Sequence, residues 1–151
     1  MSSLRETLLE SARGFIEAHN DHDIPLMRSY LAGEGRHSTH PEPVRGPVRN
    51  HDEYIEFETW AKSMLKKHVL TVHDTVVDEV QRRVVVFLTS YGEADVGVLD
   101  LEMVVTLTFA EDGRKVVEQR HFYDSKKMLD FMALSRPIGE NWQDPEGRAA
   151  E

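Results

Sequence analysis

The sequence predicts an α+β fold: a cone-shaped α+β barrel with three N-terminal helices, a curved antiparallel sheet of about four long strands and a short C-terminal helix. Three observations predict it. Apolar residues recur at helical spacing as far as Leu65 and alternate after Lys67, so the hydrophobic period changes from 3.6 to 2. The alternating half carries a clean hairpin signal, Asp112-Gly113. A length of 151 residues suits one domain with a core and a small cavity, and no repeat or low-complexity linker divides it.

Each element follows from its own signals. Leu4, Leu8, Ala12, Phe15 and Ile16 form the apolar stripe of a first helix, which ends near the turn-favouring His19-Asn20-Asp21. Asp23 reads as the N-cap of a short second helix carrying Leu26, Met27, Tyr30 and Leu31, with Pro25 in its first turn. Gly33-Glu34-Gly35 stops it. Between Arg36 and Arg49 three prolines and Gly46 allow only loop or a very short strand. Asn50, with Glu53 three residues on, is a capping-box start for a third helix. Its stripe is Tyr54, Phe57, Ala61, Met64 and Leu65, with Trp60 at the edge. Strands are expected at Val69–Glu79, Arg83–Tyr91, Val98–Phe109 and Lys115–Tyr123. A last helix runs from Ser125 to about Leu134 behind the cap Asp124 and packs Met128, Leu129 and Met132. The domain spans 1–136; residues 137–151 are a polar tail apart from Trp142.

Composition narrows the function classes. A formal net charge of −9 argues against nucleic acid as a partner, because phosphate contact needs a basic face. No run of about 18 apolar residues offers a membrane span. The absence of cysteine removes disulfides and thiolate metal sites. Together with a start that lacks a signal-peptide pattern, it fits a cytoplasmic protein. No Gly-rich phosphate loop or Gly-x-Ser-x-Gly elbow is present, which weakens nucleotide-dependent and hydrolase readings.

Splitting the strands by face locates the inside. Leu99, Leu101, Met103, Val105, Leu107 and Phe109 share one face of the third strand. In the fourth, Val117, Gln119, His121 and Tyr123 are placed inward, because burying Glu118 and Arg120 unpaired is costly. His73 falls in one of two equally apolar sets, and the pattern leaves its direction open.

The order helix, helix, Pro-rich loop, helix, four strands and a Tyr-Asp before a final helix resembles the nuclear transport factor 2-like fold. It is closer still to the SnoaL-like small enzymes of fungal natural-product pathways. The residues that carry the resemblance include Arg36-His37-Ser38-Thr39-His40-Pro41, Asn50-His51-Asp52-Glu53-Tyr54-Ile55 and Thr71-Val72-His73-Asp74. Glu102-Met103-Val104, Asp112-Gly113-Arg114-Lys115-Val116-Val117 and Phe122-Tyr123-Asp124-Ser125 continue it, so that it runs from about residue 4 to residue 134. The resemblance implies a homodimer of cone-shaped subunits, each with one small-molecule pocket and no metal or organic cofactor. It implies acid–base isomerases, cyclases or rearrangement enzymes acting on polyketide, meroterpenoid or alkaloid intermediates. Arg36 matches the arginine that such proteins carry after the second helix. Two positions depart: Met103 stands where a tyrosine is usual, and His121 where a glutamate is usual.

His121 is therefore the expected general acid–base group, and Arg36 the clamp for a developing oxyanion. His73 and Tyr54 are expected to assist. Glu58, Trp60, Leu99, Leu101, Met103, Gln119 and Tyr123 are the expected substrate contacts. The histidines spaced three apart, His19/His22 and His37/His40, supply only two ligands each where a metal needs three or four; no metal is expected. The same fold also supports a non-catalytic small-molecule-binding or dimeric scaffold module.

Overall fold

A computed structural model describes residues 2–135; the polar tail and Trp142 lie outside the described residues. Helix α1 spans Leu4–Asn20 and starts from a full capping box between Ser3 and Glu6. Helix α2 spans Ile24–Ser29, with Asp23 accepting from the Leu26 N–H at 3.0 Å. Strand β1 (Leu31–His40) and a 3₁₀ turn (Glu42–Val44) lead to α3 (His51–Met64), which is capped by Asn50 and Glu53 as the sequence predicts. Strands β2 (Lys67–Asp78), β3 (Arg83–Ala94), β4 (Gly97–Phe109) and β5 (Val116–Tyr123) follow, then α4 (Ser125–Ser135). The four predicted strands are present, with ends within three residues of expectation. No helix among the described residues is long and apolar enough to cross a membrane.

The α+β class holds, but the sheet differs in count, direction and closure. It has five strands in the order β1-β5-β4-β3-β2 and is mixed, because β1 runs parallel to β5. Strands β1 and β2 are both edges, so the sheet curves without closing into a barrel. Strand β1 replaces the expected end of the second helix and much of the expected loop. Its sequence, Leu-Ala-Gly-Glu-Gly-Arg-His-Ser-Thr-His, has no apolar alternation to announce a strand. Pairing with β5 supplies what local pattern does not, from Arg36 opposite Glu118 to His40 opposite Phe122. Gly35 permits the close approach: a Cβ there would lie 2.3 Å from the His51 ring and 2.5 Å from the Val117 carbonyl oxygen.

The inner face of β4 is as expected, with Leu99 through Phe109 buried at every second residue. On β5 the expectation needs one correction. Thr108 pairs with Glu118 while Phe109 pairs with Val116, so Val117 is the extra residue of a bulge. Val116 therefore points inward and is fully buried, whereas Gln119, His121 and Tyr123 keep the inward positions assigned to them. Strand β2 has a second irregularity, where Val72 pairs with Leu88 and Asp74 with Phe87, leaving His73 unpaired between them. Gly113 turns the β4–β5 hairpin with φ of +76°, a left-handed conformation that favours glycine. On α4, Met128 and Phe131 are buried, while Leu129 is exposed rather than packed. The core joins α1, α3 and α4 to the concave face of the sheet, with Leu8, Phe15, Leu88, Leu101, Leu107 and Phe109 at its centre.

Candidate functional site

The concave face leaves a cavity among α1, α3, the inner side of β2–β5 and Met128 of α4. Phe15, Ile16, Leu99, Met103 and Val105 make its walls apolar, and His19, Glu58, His68, Gln119, His121 and Tyr123 bring polar groups into them. A recess beside it is lined by His37, Arg49 and Tyr54 and shares Phe57, Glu58, His121 and Tyr123 with the cavity. His121, Tyr123 and Glu58 thus stand where the two spaces meet.

Each group is aimed by its element. His121 and Tyr123 are two apart on β5 and project to the same side, with ring centroids 6.0 Å apart. Tyr54 and Glu58 are one helical turn apart on α3. The Tyr54 ring sits 6.2 Å from that of His121 and is buried, with its hydroxyl near Gln119 and Glu58 but hydrogen-bonded to neither. Glu58 Oε2 lies 3.3 Å from His19 Nε2. Lys62 backs this pair, donating to the His19 carbonyl at 2.9 Å and lying 3.3 Å from His19 Nδ1. Arg49 is held by paired backbone hydrogen bonds with His37, at 2.8 and 3.0 Å. Its guanidinium carbon sits 4.2 Å over the Phe57 ring, inside the recess.

Burial dominates the electrostatics. It pushes the His121 imidazole down to about 4, with Glu58 opposing and His19 and Arg49 adding to the depression. His121 is therefore neutral at ordinary pH and able to accept a proton. Burial alone would raise the Glu58 carboxyl, but His19 and Lys62 hold it well below the usual carboxylate range. Burial and the Glu58 charge raise both phenols, Tyr54 and Tyr123, so each keeps its proton. The apolar cavity thus brings together a neutral base, a carboxylate and one phenolic O–H donor, and the adjoining recess adds a guanidinium and a second phenol.

The structure gathers some expected site residues and leaves others outside. His121, Glu58, Leu99, Met103, Gln119 and Tyr123 line the cavity, and Tyr54 lines the recess. Arg36 does not. It faces outward from β1, largely exposed, 3.7 Å from Glu118, because neighbouring His37 takes the inward direction. His73 is also outside: it is exposed on the outer face, with Nε2 2.6 Å from the Thr89 hydroxyl. Leu101 is buried in the core and Trp60 packs on Phe57, 5.8 Å between centroids; neither lines the cavity. Sequence reading missed Arg49, His19, His37 and His68. Arg49 had a usable signal, since it immediately precedes the cap of α3. His37 had none, because β1 was not legible as a strand. Among the described residues no group of three or more His, Cys, Asp or Glu side chains could hold a metal ion.

Comparison with known proteins agrees with this architecture. The SnoaL-like domain profile matches residues 12–119. Monooxygenase AacuO of Aspergillus aculeatus is 26% identical over 131 residues, covering 87% of this chain and 82% of that protein. Austinoid biosynthesis clusters protein J of Penicillium brasilianum is 29% identical over 134 residues, covering 87% and 78%. The crystal structure of BvnE pinacolase from Penicillium brevicompactum superposes with a TM-score of 0.84 at 28% identity, covering 91% of this chain and 96% of that one.

Proposed function

Because this chain belongs to the SnoaL-like domain family, we propose that it is a cofactor-independent isomerase or cyclase acting on a polyketide, meroterpenoid or alkaloid intermediate of secondary metabolism. Relatives named for austinoid biosynthesis and a structural neighbour named as a pinacolase support that setting. The observation that carries the reading is the neutral His121 facing an apolar cavity beside Glu58, Arg49 and two protonated tyrosines.

In this reading His121 takes a proton from a carbon next to a carbonyl. The electron pair of the broken C–H bond moves onto the carbonyl oxygen, where Arg49 and a tyrosine O–H stabilise the charge. Glu58 stabilises the imidazolium that forms. Return of the proton at a different atom completes an isomerisation. Alternatively the carbanion adds to a second carbonyl carbon of the same molecule, whose C=O π pair moves to oxygen and takes the proton from the His121 imidazolium, closing a ring. The apolar walls keep water from quenching the intermediate.

Candidate intermediates incubated with the protein in deuterated water test this. Conversion is expected with deuterium appearing at the isomerised carbon, and His121→Gln is expected to slow it by about 10²–10⁴-fold while thermal stability stays close to wild type. Near wild-type turnover by that variant overturns the assignment. A product heavier by one oxygen atom would point instead to the chemistry for which the Aspergillus aculeatus relative is named.

A further inference from the structure

A buried row of polar groups along the inner side of β1 is not used by this acid–base scheme. It consists of His51 at the start of α3, His37 on β1 and Gln119 on β5, each at most 6% exposed. His37 Nδ1 lies 2.8 Å from Gln119 Oε1, and His37 Nε2 lies 2.8 Å from His51 Nδ1. The His37 ring is stacked flat on Tyr54, with centroids 3.9 Å apart and planes within 4°. The backbone bridge to Arg49 pins it from behind.

The direction of the row follows from donor and acceptor chemistry. An amide oxygen only accepts, so His37 Nδ1 carries the proton. Burial holds His37 down to about 3, so its ring is neutral and Nε2 is a lone pair. That lone pair accepts from the Nδ1–H of His51. His37 is thus the Nδ1–H tautomer and His51 donates to it from Nδ1, with the Glu34 and Val116 carbonyls beside the His51 ring. With its oxygen engaged by His37, Gln119 has its NH₂ group left to donate, in the wall of the cavity and beside the Tyr54 hydroxyl.

We propose that His37 and His51 are positioning residues that lock the Gln119 amide in this orientation, so that its N–H donates to a carbonyl oxygen of the substrate. The oxygen and nitrogen ends of an amide are nearly the same size. Releasing the lock would therefore let the group turn over and present an acceptor, favouring a substrate hydroxyl in the same space. The inference rests on reading the cavity as a reaction site, but its test needs no substrate.

Long-range ¹H–¹⁵N spectra of the labelled protein at neutral pH are expected to show His37 protonated at Nδ1 only and His51 carrying a proton on Nδ1. The His37→Phe variant keeps a ring on Tyr54 but has no nitrogen, and in it the Gln119 side-chain amide signals are expected to shift and to exchange faster with water. His51→Phe is expected to move the same signals. His51→Gln, which can still donate to His37 Nε2, should restore the wild-type pattern. A proton on His37 Nε2, a doubly protonated His37, or Gln119 signals unmoved in His37→Phe overturns the proposal. If the variants fail to fold, the tautomers of the wild-type protein decide it alone. None of these results touches the deuterium test of His121, so the two readings fail separately.

Discussion

His121, His37 and His68 share one physical condition, burial that disfavours their cations. They are depressed from an ordinary 6.5 to about 4, about 3 and about 3. The unfolded chain binds these protons near pH 6.5, whereas the folded chain does not until the pH is far lower. Above about 6.5 both states are neutral and the groups leave stability unchanged. As the pH falls from about 6.5 toward about 3 the unfolded state gains protons first, and stability is lost. Thermal melts are expected to show a constant midpoint above pH 7 and a steady fall below it, less steep in His121→Gln. Glu58 is the matching case among carboxylates. Replacing it with leucine leaves buried His19 and half-buried Lys62 without their anion, and is expected to cost about 3–5 kcal/mol in urea unfolding. A loss under 1 kcal/mol would mean the pair is solvated.

At the scale of elements, the bulge on β5 and strand β1 build the site. The extra residue Val117 lets Val116 seal the core while Gln119, His121 and Tyr123 stay turned to the cavity. Strand β1 then carries His37 inward and Arg36 outward, which makes Arg49 the guanidinium of the recess. Two glycines of β1 offer a direct test of that packing. Gly35→Ala sets a methyl group against the His51 ring and the Val117 carbonyl and is expected to destabilise by about 1–3 kcal/mol. Gly33 has open space around its missing side chain, so Gly33→Ala should stay within about 0.5 kcal/mol. Equal effects in denaturant titrations would show that β1 is not seated on α3 as described.

For the whole molecule, the outer face of the sheet carries Phe87, Val104 and Phe122 directly across neighbouring strands, with Phe87 and Phe122 41% and 39% exposed. The homodimer implied by the family resemblance would cover this row. Sedimentation is expected to give twice the 17.4 kDa chain mass, with Phe87→Glu and Phe122→Glu shifting it to the monomer; a wild-type monomer at working concentration would refute it. Much of the architecture was legible because it rests on local physics. Capping residues, the change of period at Lys67, the Asp-Gly turn and the alternation of β4 act over a few neighbours, so the sequence alone located the helices and four strands. His121 was placed inward only by the cost of burying Glu118 and Arg120, an argument that misplaced Val117 on the same strand. Tertiary structure decided the rest. Strand β1 has no pattern of its own and exists through parallel pairing with β5, and the His73 and Val117 bulges are set by partner strands. The exchange of Arg36 for Arg49 and the convergence of His19, His37 and Glu58 depend on residues far apart in the chain. Spacing along a sequence carries no record of such meetings, because packing alone brings those side chains together.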